Sequence, residues 1–476
     1  MLDMKAKNTF FWYDLETFGL NPHYDRIAQF AGVRTDEDLN PIGQPVLLYN
    51  KPTTDYLPDP LSCLITGITP QEAEQKGMRE SDFADAVLKE LALPGTCTVG
   101  FNSIKFDDEF IRTLLYRNLM DPYRREWADG NSRWDILDVV RAAYDLRPDS
   151  LSWPPSKDNG NPTFKLTDLT AANNISHEHA HDALSDVYAT LAVARLIKEK
   201  NPQLFAWALS LRDKKKVKNI VNPPFGTPFL YTGANFTTPR GCTRPVVAIS
   251  VIPNNPNSVI CFDLTQDIDP LLLADEDTIM RIPGVFRIAL NKCPFVSPLT
   301  VLGKDGIIER RLDIDMKAAL ARYERVRKAI SLPVLFRNAV EKDEYEQVAD
   351  PDFRIYAGGF FSDADRDRFS VVRKTEPAQK LSLNLHFEDP RAQEMVWRYV
   401  CRSWPETLDT NQKARWKSFA ANRILNPPGD VKINWQFYTR KISEKLLSSD
   451  TPAHEKPVLT ALKEWGEKIS QDVFSE

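Results

Sequence analysis

The sequence has no apolar stretch long enough to span a bilayer. Its longest runs resemble Val246–Ile249, far short of the ~18 residues a spanning helix needs. The opening residues, Met-Leu-Asp-Met-Lys, hold an acidic residue and no apolar core, so no signal peptide is expected. Cysteine is sparse. Cys63, Cys97, Cys242, Cys261, Cys293 and Cys401 fall at no paired spacing. This argues against a disulfide scaffold and a cysteine zinc site, and it suits a reducing cytoplasm. There is no internal repeat and no low-complexity tract. Nor is there an excess of positive charge: the net charge is −5. That speaks against a protein that coats nucleic acid but leaves room for one that grips it locally. What is present is ordinary globular composition, 476 residues with 42% hydrophobic and 27% charged. At about 150 residues per domain, roughly two to four domains are expected.

The chain changes texture twice. Aromatic Thr9–Tyr13, Arg26–Arg34 and Pro45–Tyr49 read as strands, and Thr96–Phe101 as a fourth. Helical patterns cover 70–76, 81–92, 107–118, 135–144, 167–172 and 182–199. Strands followed by alternating strands and helices indicate α/β architecture, a mixed sheet covered by helices. Residues 220–310 are rich in Pro, Asn, Gly and Thr, with short β-like runs at 246–252, 259–264 and 286–290. Beyond Gly358 the pattern is helical, with Trp397, Trp404, Trp416, Trp435 and Trp465 expected mainly in the core. Boundaries are expected near 201 and 356.

Three local patterns carry chemistry. Asp14 and Glu16 lie two apart at the end of the first strand and so share a face. Paired carboxylates repel unless a cation lies between them, and hard oxygen ligands suit Mg²⁺ or Mn²⁺. Alone, this pair is also an ordinary acidic strand end. Asp107 opens a helix after the fourth strand, where an N-cap is the plain alternative. His181 precedes a helix that carries Asp186 on its first turns. A histidine there can take a proton from water; a surface histidine beside an acidic first turn is the bland reading. His177, His179 and His181 also raise a zinc site, which lacks further Cys or His ligands nearby.

In this order, the three patterns make the chain similar to the DEDD exonucleases of the histidine subclass, which have a ribonuclease H-like fold. Longer stretches resemble the bacterial exodeoxyribonuclease I family: Tyr56-Leu-Pro, Leu64-Ile-Thr-Gly-Ile-Thr-Pro-Gln-Glu-Ala73, Phe106-Asp-Asp-Glu109, Asn131-Ser-Arg-Trp-Asp135, Ala180-His-Asp-Ala183, Asp186-Val-Tyr-Ala-Thr190, Asn291-Lys-Cys-Pro294 and Gly359-Phe-Phe-Ser-Asp-Ala-Asp-Arg366. The resemblance implies an exonuclease domain (1–200), an SH3-like DNA-clamping domain (201–356) and a C-terminal helical domain (357–476). It implies processive 3′-to-5′ degradation of single-stranded DNA to 5′-mononucleotides, in DNA repair and recombination. The implied partner is the acidic C-terminal tail of single-stranded-DNA-binding protein.

The expected chemistry is two-metal hydrolysis with Mg²⁺, for which Mn²⁺ substitutes. Asp14 would bridge the ions, Glu16, Asp107 and Asp186 would complete their shells, and His181 would deprotonate the attacking water. Strand grooves pair basic with aromatic side chains, so Arg112, Arg124, Arg133, Trp134, Phe164 and Lys165 are candidate DNA contacts. Lys214, Lys215 and Lys216 belong to the densest basic run, which fits DNA or the acidic tail. Two rivals stay open: an RNA exonuclease of the same superfamily, and a binding protein built on a decayed nuclease. The expected enzyme is a cytoplasmic monomer.

Overall fold

The computed structural model describes residues 8–156, 160–177, 182–236, 240–341 and 349–474. The first unit is built on five strands: β1 (Thr9–Thr17), β2 (Ile27–Thr35), β3 (Val46–Tyr49), β4 (Thr96–Gly100) and β5 (Ser132–Asp135). Their order is β3-β2-β1-β4-β5. β1 pairs antiparallel with β2 and parallel with β4, so it lies in the middle. Its alternation sorts two cores. Phe10 and Trp12 face Val187, Leu191 and Ile197 of the helix Ala183–Lys200. Phe11, Tyr13 and Leu15 face Phe110, Ile111 and Leu114 of the helix Asp107–Arg117. A mixed sheet clothed by helices is the ribonuclease H-like arrangement.

β1 runs four residues further than its aromatic run indicates, so Asp14 and Glu16 lie within it. The register shifts between Glu16 and Thr17, a bulge that re-aims side chains at the strand's end. The expected helix 135–144 begins instead at Leu137, because Ser132–Asp135 is the fifth strand. A short helix at Pro60–Thr66 was also not expected; Asp59 caps it and Pro60 starts it.

The second unit is an antiparallel sheet of β6 (Phe229–Thr232), β7 (Thr243–Ile252), β8 (Asn255–Asp263), β9 (Val285–Ala289) and β10 (Phe295–Pro298), ordered β10-β6-β7-β8-β9. Its apolar core continues into the first unit through Trp134, Phe205, Phe229 and Val296. At the joint, Asp145 Oδ2 accepts from Cys242 N at 2.7 Å. Gly241 is required there. Its φ is +81°, and a Cβ would lie 2.6 Å from Asp145 Oδ1.

Helices Asp363–Lys374, Pro390–Ser403, Thr410–Leu425, Trp435–Leu447 and Lys456–Phe474 form the third unit. Trp397, Trp404, Trp416 and Trp465 are buried in it. A buried ion network ties this unit to the first. Arg402 bonds Asp55 at 2.8 Å and Asp352 at 2.5 Å, and Arg423 reaches Asp55, Asp350 and Asp352. All six thiols are free. No helix among the described residues is long and apolar enough to cross a membrane.

Candidate active site

The bulged end of β1 presents Asp14 and Glu16 on one face, and the helix Ala183–Lys200 brings Asp186 to them. One carboxylate oxygen from each of the three lies within 4.8 Å of the others. Asp107, outside that group of three, faces Asp14 from the opposite helix layer. The helix N-cap there is Phe106, without a side-chain cap bond. The Asp107 carboxylate turns to β1 instead and accepts from Leu15 N at 3.1 Å. The plain capping role for Asp107 is thus corrected: its bond crosses to the strand that holds the other two acids. The neighbouring pair does the same, since Tyr13 Oη donates to Asp108 Oδ1 at 2.7 Å.

So many carboxylates in one place are electrostatically unsatisfied. Burial, then Asp107 and Asp186, raises the Asp14 carboxyl well above its usual range. Burial, then Asp14 and Asp186, lifts Glu16 to about 9. Burial, then Asp108, raises Asp107. A divalent cation removes this strain by supplying the missing positive charge, and oxygen-only donors are what a hard cation takes. The donor set therefore fits the expected metal.

His181 lies outside the described residues. Another histidine is at the site: His177 Nε2 contacts Asp186 Oδ1, and its Nδ1 is 3.1 Å from Thr170 Oγ1. Sequence reasoning passed over His177 except within the zinc reading. The available signal was the alternation of His177, His179 and His181 directly before an acidic helix start.

The candidate strand contacts divide by burial. Trp134 is 2% exposed and packs edge-on against Phe205. Arg112 and Arg133 are also interior. Arg112 pairs with Glu109 and Glu126, and Arg133 with Asp108 and Glu126. Arg124 is exposed and paired with Asp129. Phe164 and Lys165 line a groove of about 590 Å³ that reaches Asp186, together with Phe101, Asn102 and Arg141. Asn102, Leu137 and Arg141 also line an adjoining cavity of about 150 Å³, which continues to Lys105, Tyr231 and Lys292. Lys214 and Lys215 are exposed. Lys216 lies 3.9 Å over the Trp207 ring and bonds Ser210 Oγ at 2.6 Å.

Family models match along the chain: exonuclease at residues 11–194, exonuclease I SH3-like domain at 212–341 and exonuclease I C-terminal domain at 349–469. Exodeoxyribonuclease I of Haemophilus influenzae is 40% identical over 87% of this chain and 90% of its own length. That of Escherichia coli K12 shows the same identity and coverage. Among solved structures, exonuclease I from Methylocaldum szegediense is 39% identical, with TM-score 0.91 over 97% of this chain and 99% of that one. A zinc-bound E. coli exonuclease–ssDNA complex is 36% identical, with TM-score 0.90 over 97% and 100%. An exonuclease I/SSB-Ct complex is 36% identical, with TM-score 0.89 over 98% and 100%.

Fold and carboxylate cluster define a ribonuclease H-like exonuclease, a phosphodiester hydrolase that depends on a divalent cation. More narrowly, the chain belongs to the bacterial exodeoxyribonuclease I family. Membership makes it a 3′-to-5′ exonuclease of single-stranded DNA.

Proposed function

We propose that Asp14, Glu16, Asp107 and Asp186 hold two Mg²⁺ ions, or Mn²⁺ in their place, and that His181 is the general base. The observation that carries this is the carboxylate cluster at the end of an open groove. When bound, the cations supply the positive charge that an in-line displacement at phosphorus needs on its attacking and leaving oxygens. The protein's own residues do the rest. Phe164 offers a face for a terminal base, and Lys165 and Arg141 offer charge to the backbone phosphates. His181 takes the proton of the attacking water.

The groove leads from the nuclease unit (1–200) to the sheet of the second unit (201–356), and the third (357–476) is tied to the others through Arg402 and Arg423, which bond Asp55 and Asp352. A strand lying in this path is held along its length while its 3′ end is cut, which suits processive release of 5′-mononucleotides. Lys214, Lys215 and Lys216 fall outside the groove's lining. They suit the acidic C-terminal tail of single-stranded-DNA-binding protein. We assign the enzyme to the cytoplasm as a monomer.

The test uses 3′-labelled single-stranded DNA and RNA with Mg²⁺, Mn²⁺ or chelator. Label release from DNA, with metal only, is expected. His181→Ala should keep DNA binding and lose about 10²–10⁴ in turnover. Undiminished turnover in His181→Ala, or in Asp186→Asn, refutes the assignment.

A further inference from the structure

Asp186 stands on a helix, while Asp14 and Glu16 stand on β1. Their spacing is therefore not fixed by one piece of backbone, and two polar contacts add to the packing of that helix on β1. The first is Gln29, directly across from Glu16 on β2 and 2% exposed. Its Oε1 accepts from Ala183 N at 3.2 Å, and its Nε2 donates to Tyr49 Oη at 2.7 Å. This ties one of the orphan N–H groups at the helix start to the sheet. The second is His177. A carboxylate oxygen can only accept, so the Nε2 that meets Asp186 carries the proton. With that tautomer Nδ1 accepts, and Thr170, 1% exposed, lies 3.1 Å away to donate its one hydroxyl proton, for which the Leu166 and Thr167 carbonyls compete. The ring thus has a fixed rotation, and through it so does the carboxylate.

We propose that His177 is a positioning residue that holds the Asp186 carboxylate toward Asp14 and Glu16 before a cation arrives. This rests on the metal-site reading above. Without the ring, Asp186 loses one contact that holds it against neighbours that repel it. Ligand order then has to be imposed on binding, and affinity falls. Partners of this kind are typically worth about 10–100-fold in metal affinity.

The test measures Mn²⁺ binding to the full chain by electron paramagnetic resonance, without DNA, alongside unfolding midpoints in chelator. His177→Phe keeps a ring but no nitrogen, and its dissociation constant should rise about 10–100-fold at an unchanged midpoint. His177→Gln, whose amide can donate where Nε2 does, should recover most of this affinity. Wild-type affinity in His177→Phe overturns the proposal, as does a folded His177→Gln that binds no better than His177→Phe. Should His177→Phe fail to fold, Thr170→Val decides: weaker binding supports the proposal and unchanged binding overturns it. Asp186→Asn separates the levels. If it loses Mn²⁺ while His177→Phe does not, only the positioning role fails; if it binds as wild type, the metal-site reading fails.

Discussion

Replacing Arg133 with methionine distinguishes an interior role from a DNA contact. Its side chain is 4% exposed. It donates to Asp108 at 2.7 Å and to the Asn291 carbonyl at 3.1 Å, and it pairs with Glu126 at 3.1 Å. Asp108, Glu109 and Glu126 face Arg112, Arg125, Arg133 and Lys292, so the variant removes the cation shared by Asp108 and Glu126. Removing one partner of a buried pair costs about 3–5 kcal/mol. Asp108 keeps Arg125 at 2.5 Å and Tyr13 at 2.7 Å, and Glu126 keeps Arg112 at 2.7 Å. The lower end, about 3 kcal/mol, is therefore expected. For a unit of this size that is a drop of about 6–12 °C in thermal midpoint. Although burial opposes it, Arg125 and Arg133 hold the Asp108 carboxyl well below its usual range. A depressed carboxylate stabilises above its unfolded pKa and loses that contribution as pH falls. The gap between wild type and variant should thus be full at neutral pH and narrow only as pH falls below about 4. The salt dependence of single-stranded DNA binding, measured on the same samples, should not change. A normal midpoint together with a salt slope lowered by about 0.7, one phosphate contact, would refute the interior role.

Cation binding at pH 7.5 should release protons, because Glu16 is lifted to about 9, by burial first and by its acidic neighbours second. Calorimetry in buffers of different ionisation enthalpy reads this, and identical heats would refute it. Burial raises Asp145 to about 6, above an unfolded value of about 4. Its charge is therefore a cost at pH 7 that is relieved as pH falls through 6. Asp145→Asn should stabilise at pH 7 by on the order of 2 kcal/mol and converge with wild type near pH 4, in urea titrations; a constant difference would contradict this. Lys165→Ala should lower the salt slope of DNA binding by about 0.7. Phe164→Ala should weaken binding by about 1–3 kcal/mol with little change in slope, and unaltered binding in both would remove the groove as the strand's path.

Much of the site was legible because the carboxylate cluster follows local rules. Two acids two apart on a strand share a face, and a helix start after a strand carries the third. What the sequence hid is charge satisfied at a distance. Ser132–Asp135 is a strand with an arginine inside it, tolerated because Asp108 and Glu126 neutralise it from elsewhere. From local pattern, Arg112 and Arg133 look like surface cations. Asp107 looked like a cap for a similar reason: its true partner, Leu15 N, is 92 residues away. β6 and β10 have four residues each and no alternation to count, so they emerge only from their pairing. Gln29 gives no local sign of its role, which depends on register with Glu16 and on a helix some 150 residues later.

The position of β1 has a consequence for how activity is lost. Backbone opening in proteins starts at edges, loops and ends and reaches the central elements last. Asp14 and Glu16 sit on the central strand, covered on both faces and paired there with β2, past the β4 pairing that ends at Trp12. Their amides should exchange with solvent only when the central β1–β2 pairing opens. Fraying at β3 or β5 leaves these two carboxylates in place. Mild denaturant should therefore switch the enzyme off at the global transition of the nuclease unit rather than erode it gradually.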